Sequence, residues 1–254
     1  MTYLNALLAD IRGAGIIHYI NAANAETDGN ATRALDMANR NVELISTYTP
    51  APVLNTAIAG RPTLTFGTGT AGTTSQILRP KRYSDLNLGT GSWSIGMLVR
   101  ATGTTNADVI VSPERVAKME AGNYSPYIRF AAAGDKTQAP SLIGNDGDPR
   151  SVCNTKEFNN TNRLLLLCGT PGVGLTWYVD DWSTPALTHT TAAAKEVFTD
   201  GRFVLGGPGW TPSSLTFAGS LAVFTAHNVD LSLNHPARRD LMKAIAGYGG
   251  ITSN

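Results

Sequence analysis

The chain has 254 residues, of which 42% are apolar, 15% charged and 7% aromatic, and its 20 Lys+Arg nearly cancel its 19 Asp+Glu. A chain this long buries roughly three quarters of its unfolded surface and needs no disulfide or metal staple to fold. A net charge of +1 excludes a protein that works by neutralising many phosphates, and the lack of any apolar run near 18 residues excludes a membrane-spanning helix.

The first segment, MTYLNALLADIRGAG, lacks the basic start and long apolar core of a secretory signal. Leu4, Leu7, Leu8 and Ile11 fall at i, i+3, i+4 and i+7, which predicts a helix stopped by Gly13 and Gly15. That stripe either packs on its own domain or docks on another subunit, so these four residues are candidate assembly contacts. TRALDMANR (32–40) reads as a second short helix, loosely patterned. From Thr47 to Pro62 four Pro and Gly residues punctuate the chain, and the stretch reads as a loop leading into a strand at Thr63–Phe66.

Alternating segments follow. Trp93, Ile95, Met97 and Val99 share one face of a strand, and Asp108–Val111 and Tyr124–Ala131 read as two more. Arg163–Cys168 is apolar on both faces, as a central strand between layers would be. Leu175, Trp177 and Val179 alternate with polar neighbours, Arg202–Leu205 is short, and Leu215, Phe217, Leu221 and Val223 line one face of a last strand. Short strands separated by turn clusters predict antiparallel sheets packed face to face. A closing helix begins at Asn234 and Pro236, carries Leu241, Ile245 and Tyr248 on one stripe, and is stopped by Gly247 and the glycines after it. No repeat or linker divides the chain, so the expected organisation is an N-terminal arm (1–17) and one domain (18–254).

Few motifs carry chemistry. Gly67, Gly69 and Gly72 satisfy G-x-G-x-x-G, but Pro80 arrives too soon for the helix a pyrophosphate site needs, and the segment reads as a surface loop. Asp146 and Asp148 in NDGDP have the spacing that opens calcium loops, without the later acidic ligand; a polar turn and a weak calcium site both remain open. Asp180-Asp181 sits where two strands reverse and reads as a turn, not as paired catalytic acids. Four scattered histidines show no ligand spacing, and Cys153 and Cys168 read as buried thiols. Glu114, Glu120, Glu157 and Glu196 fall in connections, which leaves a glycan-cleaving carboxylate pair without support. Trp182 and Trp210 lie in loops beside Asp, Gly and Pro, and are candidates for stacking on a sugar ring.

Taken in order, TWYVDD, RFVLGG, SLTFAGSLAVFTAHNVDLS and LSLNHPARRDLMKAIAGYGGI, with IAGRPTLTFGTG and GSWSIGMLVRA upstream, resemble the strands and closing helix of concanavalin A-like, laminin-G-like jelly rolls. The resemblance covers roughly residues 58–252. It implies an all-β sandwich of two antiparallel sheets with short helices at each end, and loops at one rim available for ligands. It implies no reaction, since the fold serves lectins, glucanases and virion proteins alike.

The expectation is therefore a non-enzymatic protein with no cofactor and no resident metal. The first reading is a structural bacteriophage virion component, such as a capsid decoration or head-fibre subunit. It would be made in the host cytoplasm and assembled as a homo-oligomer against a capsid protein. The alternative is a carbohydrate-binding, lectin-like module whose partners are glycans.

Overall fold

The computed structural model describes residues 3–28, 31–38, 42–46, 50–67, 76–81, 91–103, 108–113, 127–143, 149–190, 203–207 and 217–252. A short helix, α1 (Tyr3–Ala9), is followed by β1 (Ile16–Asp28), β2 (Ala31–Asp36), β3 (Glu43–Ser46), β4 (Val53–Ile58), β5 (Arg61–Phe66) and β6 (Leu78–Pro80). Then come β7 (Trp93–Ala101), β8 (Asp108–Pro113), β9 (Tyr127–Ala133), β10 (Lys136–Ile143) and β11 (Pro149–Val152). The chain ends with β12 (Arg163–Thr170), β13 (Gly174–Val179), β14 (Leu187–His189), β15 (Phe203–Leu205), β16 (Gly219–His227) and α2 (His235–Gly249).

The strands hydrogen-bond as one large antiparallel sheet in the order β11-β10-β9-β8-β15-β6-β3-β2-β1-β16-β7-β12-β13-β14, with β5 also on β16 and β4 outside it. The two antiparallel layers that the sequence predicts are joined edge to edge, and the sheet nearly closes on itself. Its ends face each other across the core, because the Trp177 indole Nε1 on β13 donates to Ser151 Oγ on β11 at 2.5 Å. Between the layers Phe130 packs against Phe158 and Phe217, with ring centroids 5.2 and 5.7 Å apart. Trp93, Met97, Leu165 and Leu205 complete this interior. The fold is a jelly-roll-like β-sandwich with two short helices.

A second apolar cluster lies on the outer face of β7, β12, β13 and β16. Leu98, Leu164, Leu166 and Val223 meet Leu241 and Ile245 of α2 and Leu4 and Leu8 of α1 there. Covering both faces explains why β7 and β12 are buried at nearly every position and carry apolar residues on both sides. The α2 helix starts where the sequence predicts, with Asn234 Oδ1 accepting from Ala237 N at 3.3 Å and Pro236 in the first turn. It passes through Gly247 and ends on Gly250, whose left-handed φ of 63° lets its N–H reach Ala246 O. Gly247 is therefore not the stop signal. Gly249 permits the close approach of α2 to β7, since a Cβ there would sit 2.7 Å from Leu98.

Several expectations are corrected. Residues 32–36 of the predicted helix 32–40 form strand instead, and residues 39–40 lie outside the described residues: β2 buries Thr32, Ala34 and Asp36 and leaves Leu35 half-exposed, so the two polar side chains face inward while the largest apolar one does not. The proline-punctuated stretch before Thr63 contains β4, an exposed outer strand paired only with β5. Strands β1, β3, β6, β10, β11 and β14 carry no pattern from which the sequence predicts them. The predicted face through Leu215 begins later, at Gly219, with Phe217 just before it and Leu215 outside the described residues.

Candidate ligand pocket

Asp146, Asp148 and Trp210 lie outside the described residues. Trp182 is half-buried and engaged within the chain. His235 meets its ring edge-on at 4.9 Å, and the Lys243 ammonium lies 5.1 Å from its centroid. Its carbonyl accepts from Arg238 Nε at 2.7 Å. Arg238 is itself buried, donates to Leu231 O and Ser232 O, and lies 4.4 Å over Tyr178. Trp182 is thus part of the clasp holding the 180–186 loop to α2.

The acidic candidates are also engaged in structure. Asp180, with a left-handed φ of 60°, accepts from Arg163 Nη1 at 2.5 Å and from Leu164 N at 2.8 Å. Asp181 accepts from Ser183 N and Thr184 N, and burial, which would raise its pKa, is outweighed by these donors. Glu157 is likewise held low: burial pushes it up, but four backbone amides, of Thr137, Gln138, Phe158 and Asn159, donate to it. Each of these three carboxylates shapes a turn. Cys153 and Cys168 are buried free thiols in opposite clusters, the first in the interior and the second under α2. Among the described residues no three of His, Cys, Asp or Glu form a metal-binding group.

Of the four candidate assembly residues, Leu4 and Leu8 are buried at 1% and 2% exposure within their own chain, whereas Leu7 and Ile11 are half-buried. Helix α1 therefore lies on α2 and the outer sheet face, and the surface it creates is concave. Three depressions border it, with volumes of about 390, 750 and 480 Å³. The 390 Å³ depression has Ile11, Ile16 and Met37 along its sides and Asn5 and Tyr19 as its polar lining. The 480 Å³ depression carries Asp10, Arg12 and Asp240.

The 750 Å³ pocket is the best equipped for a ligand. Leu4, Ala23, Pro62 and Ala244 give it apolar surface, and Arg61, Lys243 and Tyr248 supply its polar groups. Arg61 is delivered by the β4–β5 hairpin, in which Ile58 pairs with Arg61 and both Ala59 (φ 47°) and Gly60 (φ 70°) are left-handed. Two positive φ values define the tight turn whose twist matches the strands it joins. The turn places Arg61 at the C-terminal end of α2, where its Nε donates to Tyr248 O at 2.8 Å. A cation suits that end of a helix, where unpaired carbonyls concentrate negative partial charge. The guanidinium also lies 5.1 Å over the Tyr248 ring.

Tyr248 is tied inward in turn. Its hydroxyl donates to Asn21 Oδ1 at 3.4 Å, Asn21 Nδ2 reaches Tyr19 Oη at 2.9 Å, and Tyr19 Oη donates to Asn5 Oδ1 at 2.7 Å. Burial raises the Tyr19 and Tyr248 phenols, more than Asn21 lowers the first or Arg61 the second. Both are neutral hydroxyls at physiological pH. This chain of bonds runs beneath α1 from one depression to the next and fixes the wall of the larger one. The pocket offers cationic donors, a hydroxyl and an aromatic edge.

Sequence reasoning named none of these three residues as a site. Tyr248 was assigned to the stripe of α2, and Arg61 appeared only inside a strand motif. The one local signal was Ala59-Gly60, a small-residue pair that a tight hairpin accepts just before Arg61.

No protein-family model and no characterised protein matches the chain in sequence. Solved structures match it in shape. The binding domain of botulinum neurotoxin DC, in complex with SialylT, superposes with a TM-score of 0.59 at 12% identity, over 94% of this chain and 52% of that one. Trypanosoma rangeli sialidase in complex with sialic acid gives 0.61 at 10% identity, over 97% and 37%. A heptameric pentraxin from Limulus polyphemus gives 0.52 at 12% identity, over 68% and 78%. The chain thus spans about half of the toxin domain and just over a third of the sialidase. At these identities the likeness is one of fold, jelly-roll and lectin-like.

Proposed function

We propose that this protein is a non-enzymatic, glycan-binding module whose ligand site is the 750 Å³ pocket between the β4–β5 hairpin, α1 and α2. The observation that carries the reading is the convergence of Arg61, Lys243 and Tyr248 on an apolar-walled depression of sugar-accommodating size. Support comes from the fold shared with a toxin binding domain solved with SialylT and a sialidase solved with sialic acid. Trp182 contributes through Lys243 and not as an open stacking platform. The test is a glycan array probed with the wild-type chain and with Arg61→Ala: wild type gives discrete hits that the variant loses. A silent array overturns the reading.

The structural reading, a virion component assembled on a capsid, draws on low charge, a composition rich in Thr, Gly and Ala, the want of a catalytic constellation and an apolar N-terminal helix outside the sandwich core. Burial of Leu4 and Leu8 against α2 removes half of that stripe from any partner. A homo-oligomer remains compatible with the exposed Val53, Val173 and Leu233, and sedimentation at rising concentration tests it.

A further inference from the structure

Charge around the pocket is distributed unevenly. Several cations elsewhere on the described surface sit beside acids: Arg33 and Lys81 with Glu43, Lys136 with Asp135, Arg163 with Asp180, Arg239 with Asp240. Arg61 and Lys243 differ. Each has an aromatic partner, Tyr248 and Trp182 respectively, and neither has a carboxylate partner among the described residues. Among the described residues no acid lines their pocket, whereas the neighbouring depression across Leu7 and Ala244 holds Asp10 and Asp240. Among the described residues the Arg61 guanidinium makes one hydrogen bond, from Nε to Tyr248 O, and that bond holds the group in place without neutralising it. The cost of ordering a long side chain is thereby met before a ligand arrives.

Two cations with no carboxylate partner among the described residues, flanking an apolar depression beside an aromatic ring, are complementary to a sugar that carries a negative charge. We infer that the ligand is an anionic saccharide, bearing a carboxylate, sulfate or phosphate, with the anion on Arg61 and Lys243 and the ring against Tyr248 and the Leu4–Ala244 surface. This deepens the glycan-binding reading and rests on it. Planar oxyanions match the donor fork of arginine, and a lysine ammonium adds a second, less directional charge.

The experiment is calorimetric titration of the intact chain with glucose, glucuronate, the methyl ester of glucuronate, glucosamine 6-sulfate and glucose 6-phosphate. At least one charged sugar is expected to bind tenfold or more tightly than glucose. Its affinity should fall at least fivefold between 50 mM and 500 mM salt, because pairing between partly exposed charges is screened. Arg61→Ala should remove the preference, and Lys243→Gln should reduce it severalfold; the latter changes an exposed position and keeps the test valid if the hairpin variant misfolds. Equal affinity for glucose and every charged sugar overturns the charge inference and leaves the glycan reading standing. Inorganic phosphate binding as tightly as glucose 6-phosphate reduces the site to a simple anion site and overturns the inference. No binding by any sugar, with a silent array, overturns both.

Discussion

Arg61 and Tyr248 lie 187 positions apart in sequence, yet the Arg61 Nε–H donates to the Tyr248 carbonyl at 2.8 Å and its guanidinium covers the Tyr248 ring at 5.1 Å. The pair joins the tip of an outer hairpin to the last turn of α2. Because both partners are partly exposed, the contact contributes little to stability, under about 1 kcal/mol. Arg61→Ala should therefore lower the thermal midpoint only slightly while removing ligand binding. A large loss of stability, measured by calorimetry, would assign Arg61 a structural role.

The hairpin that carries Arg61 contains a strained residue. Ala59 adopts φ 47°, a region that costs an L-residue with a Cβ about 1 kcal/mol and that Asn tolerates better. Ala59→Asn is expected to stabilise the chain by up to about 1 kcal/mol in urea unfolding. An unchanged midpoint would show that the turn is not held in the left-handed region in solution.

Closure of the sheet depends on Trp177 and Ser151. The bond between them spans strands near opposite ends of the hydrogen-bonded order. Trp177→Phe removes the donor, leaves Ser151 without that partner, and opens space in a close-packed interior, so a loss of about 2 to 4 kcal/mol is expected. Ser151→Ala should cost less. Equal stability of all three proteins would contradict the facing arrangement of the two ends.

His227 makes stability depend on pH. Burial depresses its pKa from 6.5 to about 4, although its bond to the Ala14 carbonyl, which favours the proton, works against that. A carbonyl only accepts, so Nδ1 carries the proton of the neutral ring, and Nε2 accepts from Thr225 Oγ1 at 2.9 Å. The unfolded chain protonates this group first as pH falls. Stability is therefore fully present above 6.5 and declines between 6.5 and 4, by about 3 kcal/mol in all. His227→Gln should flatten that part of the profile in urea titrations. An unchanged slope would remove His227 as its cause.

Both thiols should be silent toward Ellman's reagent in the native state. Burial pushes Cys168 up to about 12 and raises Cys153 as well, although small hydrogen-bond contributions oppose both shifts. Two equivalents should react on denaturation. Rapid native labelling of Cys168 would contradict the packing of α2 over β12, and labelling of Cys153 would contradict the closed interior.

Legibility in the sequence followed burial on two faces. Strands β7, β12, β13 and β16 and helix α2 carry dense apolar patterns because they lie between the interior and the helix layer. Strand β1 was illegible since its buried positions include His18 and Asn21. Their polarity is compensated by distant partners, His18 by Asp36 at 2.7 Å and Asn21 by Asn5 and Tyr19. Strand β10 buries Gln138 and Ser141 and includes Pro140, whose carbonyl accepts from Cys153 N. No local pattern records such compensation. The pocket was hidden for the same reason, because it exists only where residues 61, 243 and 248 meet.

The most direct test of the binding account is amide NMR of the chain titrated with the strongest glycan from the array. Shifts concentrated at Gly60, Arg61, Ala244 and Gly247 are predicted, absent in Arg61→Ala. Shifts centred elsewhere on the sandwich, or none at saturating glycan, would contradict it.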